Sequence, residues 1–102
     1  MIRDIVIFGP VLYYSTMEII VKKPSEAEID SMQLQPTWGC GVSEFKWEYD
    51  SDEEALILEG EVTVTYDGKS VSFGAGDYVT FPKGLACVWK VSKPVKKHYI
   101  FR

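Results

Sequence analysis

From Val42 onward the apolar and polar positions alternate with a period of two: Phe45, Trp47 and Tyr49 fall on one side, Lys46, Glu48 and Asp50 on the other. That period is the signature of a half-buried strand. Asp50 to Asp52 supply a turn, and a second strand runs from Glu53 to Glu59, with Ala55 and Ile57 on the face of Glu53 and Leu56 and Leu58 opposite. Apolar residues on both faces predict a strand covered on both sides, by a barrel interior and by another sheet or subunit. Val62 to Phe73 reads as a hairpin, because Asp67-Gly68 tolerates the positive φ angles of a two-residue type I′ turn. After a loop at Gly74 to Asp77, short strands are predicted over Tyr78–Phe81, Leu85–Val91 and Val95–Phe101. Upstream, Glu18 to Lys23 suits a first strand, and Pro24 opens a short helix that ends by Gln35-Pro36. Many short strands with regular turns and one helix indicate an antiparallel sandwich or closed barrel.

Composition narrows the function classes. A chain of 102 residues with 46% hydrophobic side chains forms one globular domain. The net charge of −4 points away from a nucleic-acid partner, which needs clustered Lys and Arg, and none is expected. Lys93, Lys96 and Lys97 make a small local cluster, read as a solvated edge-strand device. The apolar run Ile5 to Tyr14 is interrupted by Gly9-Pro10 and is too short to span a membrane, so no membrane partner is expected. Two cysteines, Cys40 and Cys87, are too few for a secreted disulfide scaffold, and the expected location is the cytoplasm.

Two stretches then resemble the motifs of the cupin superfamily. Gly76-Asp77, Pro82-Lys83-Gly84 and the strand from Leu85 to Val91 have the order of the second cupin motif, with Cys87 where a metal-binding histidine stands. Glu53 and Gly60 have the spacing that closes the first motif, with Trp47-Glu48-Tyr49 in place of its His-x-His pair. More narrowly, these segments together with Pro94 to Tyr99 are similar to small single-domain cupins of the ureidoglycine-aminohydrolase-like group. The resemblance implies an all-β cupin double-stranded β-helix, a jelly-roll barrel with one short N-terminal helix. It covers residues 17–102 as a single cupin domain and leaves residues 1–16 as an extension, one that adds a strand to the sheet or to a partner. A homodimer is the expected assembly.

The same alignment of motifs brings Trp47, Tyr49, Glu53 and Cys87 inside the barrel, with Trp89 extending the face of Cys87. Glu53, a carboxylate among aromatic walls, is the candidate general acid or base. Cys87 reads either as a nucleophile served by His98, the single histidine, or as a small buried hydrophobe. Alternation along the last strand separates His98 and Ile100 from Tyr99 and Phe101 without saying which set points inward. Trp47, Tyr49 and Trp89 are candidate ligand-binding walls, and Lys83, in the Pro82–Gly84 turn, a candidate rim cation. No metal is assigned. An indole cannot ligate, which leaves Tyr49, Glu53, Cys87 and His98 as the set a divalent cation would have to use. The expectation is a barrel binding a small polar metabolite without cofactor, with Glu53 as acid/base; among similar cupins, small nitrogenous or hydroxylated acids recur. The alternatives are a non-catalytic binding or assembly module and a metal-dependent enzyme with an altered ligand set.

Overall fold

The computed structural model describes residues 17–102 in full and residues 4–6 and 13–15 by their backbone. Strands β1 (Asp4–Val6) and β2 (Tyr13–Ser15) pair with each other in a two-stranded antiparallel sheet, so the described part of the extension adds no strand to the main sheet. The side chains of residues 1–16 lie outside the described residues.

The main sheet has seven strands: β3 (Ile20–Lys22), β4 (Thr37–Cys40), β5 (Ser43–Glu48), β6 (Glu53–Tyr66), β7 (Lys69–Gly74), β8 (Tyr78–Phe81) and β9 (Ala86–Phe101). All pairings are antiparallel. The described residues fold as a jelly-roll barrel, mostly strand with one short helix; the alternating runs implied the antiparallel sheet and the cupin resemblance its topology.

The spine is the pair β6–β9, which stays in register from Glu53 opposite Phe101 to Thr65 opposite Val88 with irregularities between Ile57 and Val62. The sequence reads as two shorter strands in each of these stretches. The structure instead carries each strand through, bending β6 at Gly60. That residue has φ 103°, and a Cβ there would stand 2.5 Å from the Pro94 carbonyl oxygen, so only glycine lets the two backbones touch at the bend. Strand β4 has no counterpart in the sequence reading, because Thr37-Trp38-Gly39-Cys40 does not alternate. At the other end of β6, Asp67 (φ 48°) and Gly68 (φ 71°) form the expected hairpin turn, pairing Tyr66 with Lys69.

One core fills the barrel, built from Ala55, Ile57, Val62 and Val64 of β6, Trp89, Val91 and Val95 of β9, and Phe73, Val79 and Phe81. The opposite face of β6 is covered by helix α1 (Glu26–Met32), whose Met32 packs on Leu56 and Tyr78. The second cover expected from Leu56 is thus this helix, and Leu58 stays partly exposed. A capping box starts α1: Ser25 Oγ accepts from the Glu28 N–H at 3.1 Å, and Glu28 Oε1 accepts from the Ser25 N–H at 2.9 Å.

A candidate active site around a buried Lys–Glu pair

Inward-facing positions of β4, β5 and β9 converge on a cavity of about 530 Å³, and Glu53, the first residue of β6, stands in its wall. Phe45 lies opposite Trp89 in the β5–β9 register and stacks on it at 5.9 Å with 18° between the rings. Trp38, opposite Lys97 in the β4–β9 register, meets Trp89 edge-on at 6.1 Å. Tyr49 is fixed from both sides by the Pro82–Gly84 turn: its N–H donates to the Leu85 carbonyl at 2.9 Å, and its carbonyl accepts from the Gly84 N–H at 2.6 Å. Its ring stacks on Phe81 at 4.9 Å, and its hydroxyl accepts from Trp89 Nε1 at 3.2 Å. Trp47 (48% exposed) and Phe101 (51%) stand at the mouth, whereas Glu53, Tyr49, Trp89 and Lys97 form a buried floor.

Lys97 corrects the sequence reading. It is not part of a solvated edge: it is 6% exposed, because β9 turns it inward opposite Ile57, with Val95 and Tyr99 on the same face. Its Nζ donates to Glu53 Oε2 at 2.5 Å. Four rings surround the ammonium, with centroids at 4.9 Å (Trp89), 5.1 Å (Trp38), 5.7 Å (Phe81) and 5.8 Å (Tyr99). Such a cage supports a cation through the ring quadrupoles. Parity was the available signal, since Lys97 continues the odd-numbered set Trp89, Val91, Val95 and Tyr99.

Burial raises the pKa of Glu53 above the ordinary carboxylate range, and the Lys97 charge and hydrogen bond pull it partly back. The phenol of Tyr49 is pushed upward chiefly by burial, with the Glu53 charge adding to it. Tyr49 is therefore a neutral hydroxyl at physiological pH. Among the described residues Lys97 has one hydrogen-bond acceptor, Glu53 Oε2, and Glu53 Oε1 has no donor. An ammonium carries three N–H groups, so two of them and one carboxylate oxygen remain for something else.

The structure brings Trp47, Tyr49, Glu53 and Trp89 into this one cavity and leaves the other candidates outside it. Cys87 is buried at the far end of β9, where its thiol approaches the Trp47 carbonyl oxygen at 3.6 Å beside a shallower depression with Tyr66 and Val88. Burial pushes this thiol up to about 11, away from thiolate. His98 lies on the helix side of β9, opposite Leu56 and Thr37, with Nδ1 2.9 Å from the Gln35 carbonyl oxygen. A carbonyl only accepts, so Nδ1 carries the proton. His98 and Cys87 point to opposite faces of one strand, on the order of 30 Å apart along it at ~3.3 Å per residue, so the structure does not pair them as base and nucleophile. Lys83 is exposed in its turn, its backbone N–H donating to Asp52 Oδ1 at 2.6 Å.

The donor set does not suit the metal that cupin motifs imply. Of the corresponding positions, Trp47 has no ligating atom, Tyr49 is held neutral, Cys87 lies outside the cavity lining, and Glu53 is held by the Lys97 ammonium. Among the described residues no group of three or more His, Cys, Asp or Glu stands together. No helix among them is long and apolar enough to cross a membrane.

Comparison with known proteins agrees with this architecture. Acetate kinase EutQ of Clostridioides difficile is 29% identical over 78 residues, covering 72% of this chain and 50% of that protein. Acetate kinase EutQ of Escherichia coli is 34% identical over 56 residues, covering 55% of this chain and 24% of that protein. The chain thus spans about half the length of one curated relative and about a quarter of the other. Among solved structures, a DUF861 family protein of Thermotoga maritima superposes with a TM-score of 0.80 at 46% identity, over 83% of this chain and 100% of that one. A putative ethanolamine utilization protein Q of Salmonella typhimurium superposes with a TM-score of 0.59 at 28% identity, over 64% and 53%. The EutQ-like cupin domain matches residues 27–99, most of the described barrel and its helix, and the chain belongs to that family.

Proposed function

We propose that the barrel cavity binds a small organic molecule against the Lys97–Glu53 pair, where Glu53 accepts or returns a proton and Lys97 steadies the negative charge that develops. The observation that supports this is the pair itself: two ionisable groups, 7% and 4% exposed at their side chains, in the wall of an aromatic cavity with hydrogen-bonding capacity left over. Stability alone gives no reason for it, since a buried ion pair is commonly matched or bettered by apolar side chains of similar volume. A volume of about 530 Å³ lies within the range of small-molecule sites, about 300–1,000 Å³. The raised pKa of Glu53 brings it toward the operating pH, where acid/base catalysis works best.

The reading is cofactor-free: Lys97 supplies the fixed positive charge next to Glu53. Membership of the ureidoglycine-aminohydrolase-like group, a cytoplasmic homodimer, and a small nitrogenous or hydroxylated metabolite as ligand are parts of the same proposal. The acetate kinase activity named for the curated relatives fits this cavity less well, because the Lys97 charge is already matched by Glu53, whose carboxylate would repel a phosphate. A thermal-shift screen of a metabolite library tests the reading, a ligand at 100 times its Kd stabilising by about 2.7 kcal/mol. Hits that lose turnover but keep binding in Glu53→Gln support acid/base catalysis; unchanged turnover refutes it. Hits bound without turnover in the wild type leave a binding module, and the absence of any hit that responds to Glu53→Gln or Lys97→Met overturns the site.

A further inference from the structure

We infer that the ligand of this cavity is an uncharged, flat ring compound bearing a hydroxyl group, whose oxygen is held between Lys97 and Glu53. This rests on the proposed binding site and specifies the class of molecule it takes. The first argument is charge. Lys97 and Glu53 neutralise each other at 2.5 Å, and the rest of the lining is aromatic apart from Cys40 and Ser43. A net anion that accepts from Lys97 sits against the buried Glu53 carboxylate, and a net cation that donates to Glu53 sits against the buried Lys97 ammonium. In either case a net charge is left buried without compensation, in walls that are mostly apolar.

The second argument is the leftover hydrogen-bonding capacity. Lys97 offers N–H donors and Glu53 Oε1 an acceptor, on two groups more than nine-tenths buried and 2.5 Å apart. A hydroxyl both accepts and donates through one atom, so a single oxygen satisfies both residues without disturbing their ion pair. The third argument is shape. Phe45 and Trp89 lie nearly parallel, and Trp38 stands edge-on to Trp89, so the wall offers a flat face beside a perpendicular edge. A planar ring gains offset-stacked and edge-to-face contact from such a corner.

The chain has three tryptophans, and all three, Trp38, Trp47 and Trp89, line the cavity, so intrinsic fluorescence reports on it directly. The full chain is titrated with phenol, toluene, benzoate and benzylammonium, using red-edge tryptophan excitation and calorimetry in parallel. Phenol is expected to bind about tenfold tighter than toluene, the worth of one well-made buried hydrogen bond, and tighter than either ion. In Glu53→Gln and Lys97→Met the advantage of phenol over toluene, measured within each variant, should shrink to within roughly threefold. Toluene equal to phenol, or either ion tighter than phenol, overturns this inference and leaves the binding site standing. Failure of all four to bind overturns the site and the inference together. The order of the four ligands on the wild type decides the matter even if a variant folds poorly.

Discussion

Replacing Lys97 with Met keeps the length of the side chain and removes its charge, which isolates the electrostatic role of the residue. In the wild type the ammonium lies 2.5 Å from Glu53 Oε2, and both side chains are almost fully buried. Losing one partner of such a pair costs about 3–5 kcal/mol, because the remaining charge is buried without compensation. That is a large share of the roughly 5–15 kcal/mol that stabilises a domain of this kind. Removing both charges in Glu53→Gln/Lys97→Met should recover most of the loss, since the pair's attraction and its desolvation nearly cancel. The pH dependence follows from Glu53. Its pKa in the folded chain is raised by burial and held down in part by Lys97, so without Lys97 it rises further. A carboxyl with a raised folded pKa contributes stability that is fully present below its unfolded pKa and is lost as pH rises through the folded value. The deficit of Lys97→Met should therefore be largest at neutral pH and shrink as the pH falls toward the ordinary carboxylate range, about 4.3. Urea denaturation of the wild type, both single variants and the double variant at neutral and acid pH measures this directly. A Lys97→Met loss under about 1 kcal/mol, or a double variant no more stable than Lys97→Met, would refute the account of a buried, mutually compensating pair.

Other consequences are local. Gly60→Val places a Cβ 2.5 Å from the Pro94 oxygen at φ 103° and should cost about 2–5 kcal/mol; an unchanged denaturation midpoint removes the bend from the account of the β6–β9 spine. Ser25→Ala breaks the capping box of α1 and should cost about 1 kcal/mol without altering ligand affinity, because the helix covers the face of β6 remote from the cavity; a matching loss of affinity would contradict that separation. In a Cys40→Ser background, alkylation of Cys87 by iodoacetamide should be slow at neutral pH and accelerate until about pH 11, as expected for its raised thiol pKa. Reaction at the rate of a free cysteine near pH 7 would show an activated thiol. Incubation with a chelator should leave ligand binding unchanged, since the Lys97 ammonium already holds the Glu53 carboxylate; lost affinity restored by zinc would reverse that assignment.

What was legible in the sequence is what backbone geometry imposes. The period-two runs gave the strands, Asp67-Gly68 gave a turn with two positive φ values, and the Pro82–Gly84 turn, with Gly84 at φ 86°, stands where the motif spacing requires it. These positions are constrained by local sterics, so they can be read one segment at a time. The strand β4 and the continuity of β6 and β9 were not legible, because they depend on contacts between distant segments: Gly39 against Val95, Gly60 against Pro94. Lys97 was hidden for a chemical reason. A lysine among Lys93, Lys96 and Lys97 carries the signal of a solvated strand edge, and only its place on the inward parity of β9 distinguishes it.

That placement also accounts for how the barrel survives without the usual ligands. In the motif the imidazoles stand at the positions of Trp47 on β5, Tyr49 just after it and Cys87 on β9, and converge with the carboxylate of Glu53's position on a cation from outside. Here a positive charge stands on the chain itself, ten residues after Cys87 on the same strand, and is bonded to Glu53. Two of those positions, Trp47 and Tyr49, are ring surface of the cavity, and Tyr49 is tied to Trp89 by a hydrogen bond at 3.2 Å. A covalently held cation cannot be exchanged or removed, but it also cannot offer a second open coordination position. In the proposed site it suits a ligand that needs one hydrogen-bond donor beside one acceptor, which is the geometry that Lys97 and Glu53 present to the cavity.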